Sequence, residues 1–231
     1  MTESDWATCT HPAAMLSFLR DRGASERKLR LFAVACCRRV LHMMADLRCR
    51  HAVEVAEAFA DGSAGDSERG AAMREANQAA LDALQVHLGS EFATSPRFVL
   101  AANAATSACG TPGEFATNAV RGILGACWKI ARDPESALGG LDHERAAECI
   151  TIRDIFGDPF KPTPFAPSWR TDTVVTLARQ QYETRDFSLM PIMGDALQDA
   201  GCEEESILNH CRSPGVHVRV CFVVDLVLNR S

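Results

Sequence analysis

Cap-and-proline punctuation constrains this chain more than any other feature. A capping residue stands just ahead of a proline at Thr10/Pro12, Ser95-Pro96 and Thr111-Pro112, and Asp133-Pro134 marks a further break. Proline in the first helical turn loses no hydrogen bond and brings a preset φ, so such pairs open helices rather than strands. Between the marks the apolar residues recur at helical spacing. The first helix carries Met15, Leu16 and Leu19; the second, from Ser25, carries Leu29, Phe32, Ala33, Cys36, Val40 and Met43. Leu31–Cys37 is apolar on nearly every face, which predicts a helix in the middle of a bundle, with Arg27, Lys28, Arg30, Arg38 and Arg39 reaching water from its two ends.

The same signals continue along the chain. Asp46 opens a helix that stops at Gly62, and Ser67–Leu88 is Ala-rich and stops at Gly89. Asp142 caps a helix ending near Phe156-Gly157, Thr171 one reaching Thr184, Pro191 starts or kinks one ending at Gly201, and Glu203–Cys211 forms a short one. Val216–Leu228 is β-branched enough for a strand, but its helical surroundings favour a helix starting at Pro214. Asp158–Trp169 holds four prolines in twelve residues, which forbids a helix or a central strand. Phe160, Phe165 and Trp169 would be costly to leave in water, so the segment is expected to form an ordered strap across the helices. The expected fold is all-α: an irregular bundle of about nine to ten helices in one domain over 1–231, with a looser boundary near 158–170.

Ten cysteines (9, 36, 37, 49, 109, 127, 149, 202, 211 and 221) are many for a reducing compartment. No Cys-x-x-Cys pair occurs, which removes zinc ribbons and thioredoxin-like redox motifs together, and most of the thiols are expected to be small buried hydrophobes. The first residues are acidic where a secretory leader needs positive charge, and no apolar run is long enough to span a bilayer. A cytoplasmic protein without a membrane partner is expected. With 24 basic and 30 acidic residues the net charge is −6, which argues against a general polyanion binder, although residues 1–50 hold nine basic and five acidic side chains.

Several catalytic patterns are missing. There is no Walker loop, no Gly-x-Gly-x-x-Gly and no Gly-x-Ser-x-Gly elbow, and His143-Glu144 lacks the second His of a zincin helix, Ala147 standing in its place. One constellation is dense: Cys202, His210, Cys211, His217 and Cys221 fall within twenty residues. On a helix, His217 and Cys221 share a face, a bidentate geometry for a borderline metal, while His210 and Cys211 diverge by about 100° and would not both serve. Donor atoms converging within about 4 Å would mark a metal site. Packed thiols and hydrogen-bonded histidines are the plainer reading. Cys36-Cys37 with His42, Cys9 with His11 and Cys49 with His51 are weaker groupings, because their spacings do not share a helical face.

Three stretches carry a resemblance: Ala24–Arg39, Arg153–Phe160 (Arg-Asp-Ile-Phe-Gly-Asp-Pro-Phe) and His210–Arg219 (His-Cys-Arg-Ser-Pro-Gly-Val-His-Val-Arg). They resemble a paralogous protein family of planctomycete-type bacteria to which no activity is assigned. The chain departs from that set at Val220 and Phe222, where Gly and Trp are usual. The resemblance implies a multicopy accessory protein and groups the Arg-flanked helix, the Pro-rich segment and the C-terminal His/Cys segment in one unit.

The expectation is a non-enzymatic helical module, with no catalytic residue and no cofactor, that binds another protein, such as a co-encoded one. Arg38, Arg39, Phe160 and Trp169 are its candidate contact residues. The alternative is a metal or haem protein, holding zinc or haem with Cys202, His210, Cys211, His217 and Cys221. A second alternative is a nucleic-acid accessory protein acting through the basic first fifty residues.

Overall fold

In a computed structural model of the chain, residues 1–89, 96–110, 119–133 and 138–230 are described; Ser95, Thr111-Pro112 and Pro134 lie outside them. Among the described residues there are twelve α-helices and no strand. They are α1 (Glu3–Thr8), α2 (Pro12–Asp21), α3 (Glu26–Arg39), α4 (Leu47–Ala60), α5 (Asp66–Gly89), α6 (Pro96–Ala108), α7 (Val120–Ala131), α8 (Leu141–Phe156), α9 (Asp172–Thr184), α10 (Met190–Asp199), α11 (Glu205–Arg212) and α12 (Phe222–Leu228). The helix count exceeds the expected one, and α1 is one of the additions: Thr2 and Asp5 form a reciprocal capping box around its first turn.

Two compact units divide the chain, with the division between Cys149 and Ile150, inside α8. The larger spans Thr10–Cys149; the smaller joins Met1–Cys9 to Ile150–Ser231.

In the larger unit α3 is central, as its apolar run requires. Leu29, Leu31, Phe32, Ala33, Val34, Cys36 and Cys37 are all buried. Helices α5 and α6 pack on each other, and both bury small residues: Ala72, Ala76 and Ala79 in one, Ala101, Ala104, Ala105 and Ala108 in the other. That packing leaves the C-terminal carbonyls of α6 inside the unit, where water cannot reach them. Two arginines answer them: Arg30 Nη1 donates to Ala108 O (2.9 Å) and Arg69 Nη1 to the following Cys109 O (2.7 Å). Both guanidinium groups also pack on the ring of Phe59 at 5.0 Å. Arg30 therefore does not reach water as expected; it is 1% exposed.

The smaller unit has its own apolar core, which includes Val174, Ala178, Met190, Met193, Leu197, Ile207 and Val223, with Phe165 and Trp169 packed against it. Its N-terminal piece is held by polar bonds to the end of α8. Arg153 Nη2 donates to Trp6 O and Cys9 O, both at 2.7 Å, and Trp6 Nε1 donates to Gly157 O at 3.2 Å. Gly157 ends α8 with φ +65°, the left-handed conformation that turns the chain off the helix axis just after Asp154.

The C-terminal helix differs from expectation. It begins at Phe222, not Pro214, with Cys221 as its N-cap. The reason lies outside the segment: the N–H of Val218 donates to the buried carboxylate of Asp154 at 2.8 Å, and His217 bonds the same side chain. With its groups committed to Asp154, the stretch after Pro214 does not enter a helix.

Candidate metal centre

Four polar side chains of the smaller unit converge. Asp154 stands in the last turn of α8, His210 in α11, His217 in the irregular segment that follows, and Cys221 at the N-cap of α12. One donor atom from each lies within 4.8 Å of all the others, a wider bound than the roughly 4 Å that would mark a metal site. The closest pairs are tighter. His217 Nδ1 is 2.7 Å from Asp154 Oδ1, His210 Nε2 is 3.2 Å from the same oxygen, and His210 Nε2 is 3.0 Å from Cys221 Sγ. Asp154 Oδ2 accepts the Val218 N–H, which orients the carboxylate and leaves Oδ1 toward the histidines. The His210 ring packs against Phe222 (centroids 4.5 Å apart) and edge-on to His217 (4.8 Å).

Burial makes this cluster electrostatically demanding. Asp154 is 4% exposed and Cys221 fully buried. Burial alone would raise the Asp154 carboxyl, but the hydrogen bonds and charges of His210 and His217 outweigh it and hold the group below its usual range. Burial, and then the Asp154 charge, push the Cys221 thiol well above its ordinary value, against the pull of the Val224 and Val223 N–H groups. A divalent cation would reverse that balance, since carboxylate, thiolate and dication sum to zero with two neutral imidazoles beside them.

The geometry also separates two chemistries. In a nucleophilic triad the base meets the nucleophile with one ring nitrogen and its orienting carboxylate with the other. Here the same nitrogen, His210 Nε2, faces both Cys221 Sγ and Asp154 Oδ1. With one nitrogen facing both, the arrangement is not that of a triad.

Of the five residues that the sequence suggests as ligands, His210, His217 and Cys221 come together; Cys202 and Cys211 do not. Both belong to the apolar core of the smaller unit, and burial pushes the Cys211 thiol up to about 12. His210 and Cys211 are adjacent on α11, so the turn that brings the imidazole to Cys221 sends the thiol into the core. Asp154 escaped the sequence reading because a carboxylate in a helix is ordinarily solvent-facing. Its signal was its place in Arg153–Phe160, one of the three stretches set beside His210–Arg219.

The candidate contact residues are all half-buried. Arg38 pairs with Glu57 at 2.7 Å, and Arg39 grips the buried Glu144 through Nε and Nη2 at 2.6–3.1 Å. Trp169 meets Phe165 edge-on, with centroids 5.4 Å apart. In the basic first fifty residues Arg27, Arg30 and Arg48 also pair with carboxylates, so this charge is largely answered within the larger unit. All ten cysteines are free thiols, and all but Cys9 are buried.

A second grouping, Cys127, Glu144 and Glu148, is buried in the larger unit. There Arg39 already supplies the cation for Glu144, while Trp128 Nε1 donates to Glu148 Oε2 at 2.7 Å. Glu148 Oε1 is buried without a hydrogen-bond partner, and burial pushes this carboxyl up to about 8. It reads as a neutral acid rather than a metal ligand. Comparison with protein-family models, curated proteins and solved structures finds no match to this chain.

Proposed function

We propose that this protein is a metal-binding protein whose smaller unit closes around one divalent transition-metal ion, with Asp154, His210, His217 and Cys221 as ligands. The observation that carries the reading is the convergence of four donors, from α8, α11, the segment that follows it and the N-cap of α12, within 4.8 Å. Nitrogen, sulfur and oxygen donors in a four-point arrangement suit zinc, which takes all three in tetrahedral sites. Haem suits them less, since it takes only one or two axial protein ligands. The sequence alone favours recognition of a companion protein; the shared aim of these side chains moves metal binding ahead of it. Within the reading, the metal ties the end of α8 to α11 and α12 and holds the irregular segment 213–220 in place.

Elemental analysis after purification at neutral pH without chelator tests this. Wild-type protein is expected to carry about one equivalent of zinc, and Asp154→Asn or Cys221→Ser less than about a tenth. Cys202→Ser is expected to keep its metal. Equal metal content in all four proteins, or none in any, would refute the assignment.

A further inference from the structure

The cluster does not lie sealed in the interior. A cavity of about 200 Å³ is walled by Asp154, His210 and His217, whereas Cys221 is not part of its lining. An ion held by the four donors would thus have its thiolate on the buried side and its carboxylate and imidazoles toward the opening. At the rim stand two large apolar side chains in water, Ile150 at 49% and Val216 at 69% exposed. A few polar groups on the floor beneath apolar walls is the layout of a small-molecule site.

The charge of the floor selects the ligand. Asp154, Cys221 and a divalent ion sum to zero, and Arg153, which also lines the cavity, adds one positive charge. The hydrogen bonds of the Arg153 guanidinium run to the carbonyls of Trp6 and Cys9, neutral groups, and among the described residues no carboxylate pairs with it. A site of net charge +1 favours a monoanion. Zinc is ordinarily four-coordinate but can expand to five ligands, which is what an anion reaching it from the cavity would require.

We infer, resting on the metal reading, that this cavity binds a small aliphatic carboxylate, its oxygen on the cavity side of the metal and its hydrocarbon body against Ile150 and Val216. No covalent bond forms or breaks; the anion would add as a fifth ligand, with all four protein donors kept.

Cobalt substitution of the full chain tests the inference and the reading beneath it separately. Cobalt(II) bound through Cys221 gives a thiolate charge-transfer band and visible d–d bands. Titration with butyrate is expected to change the d–d bands saturably. Acetate, shorter by two methylenes, is expected to bind roughly tenfold more weakly. Val216→Asp is expected to weaken butyrate at least about fivefold through lost apolar contact and like-charge repulsion. If no cobalt bands form, the metal reading fails and takes this inference with it. If bands form but ignore butyrate, or respond equally to acetate and in Val216→Asp, the metal reading stands and the inference is overturned.

Discussion

Replacing Glu148 by Gln should make the larger unit less sensitive to alkali. Glu148 is 0% exposed, Trp128 donates to one of its oxygens, and the other has no hydrogen-bond partner. Burial is the main cause that lifts its carboxyl from 4.5 to about 8; the nearby Glu144 charge adds to it, and the Trp128 hydrogen bond opposes it. Between those values the folded unit holds a proton that the unfolded chain has released. Stability from this group is therefore fully present below about pH 4.5 and is lost as pH rises toward 8. The slope is about 1.4 kcal/mol per pH unit, so roughly 4 kcal/mol disappears between pH 5 and 8. Gln keeps an oxygen for Trp128 and never ionises. Hydrogen–deuterium exchange read on α7 peptides, corrected for the intrinsic pH dependence of exchange, gives the opening free energy of wild type and Glu148→Gln at each pH. The difference should grow steadily in favour of the variant from pH 5 to 8 and then level off. A difference that stays flat over that window would show that Glu148 is ionised in the folded protein and would refute the reasoning.

Two further outcomes are expected. Chelation of the zinc-loaded protein should lower the calorimetric transition of the smaller unit and leave that of the larger unit in place, with a loss of about 4 kcal/mol where free zinc had exceeded its dissociation constant a thousandfold. Gly157→Ala should destabilise the smaller unit by about 1–2 kcal/mol in urea unfolding, because φ is +65° there and a Cβ would lie 3.4 Å from the Phe222 ring; a change below a few tenths would show that the turn relaxes without strain.

The helices were legible where their signals are local. Thr171 accepts the N–H of Val174, Asp46 accepts that of Arg48, and Gly62 adopts φ +73° where a stop was expected. Each outcome depends on atoms within four residues of the signal, so residue order suffices to find it. The apolar run of α3 likewise announced a central helix. Where reading failed, distant partners had intervened. Arg30 and Arg39 looked like solvent-facing flanks, yet they meet a helix end at Ala108 and a carboxylate at Glu144, 78 and 105 residues away. The helix expected from Pro214 was lost to Asp154, which takes the Val218 N–H across 64 residues.

Residue order by itself determined that the chain is built from helices, and it singled out Cys202, His210, Cys211, His217 and Cys221 as neighbours worth testing, because backbone hydrogen bonding and apolar periodicity act over one or two turns. Only the tertiary structure decided which of the three thiols joins the two histidines and that Asp154 completes the set. A side chain's aim depends on where its helix is pressed against others, and that is set by burial of apolar faces far apart along the chain. Cys211 and His210 are consecutive, yet one fills a core and the other meets a buried thiol and a carboxylate.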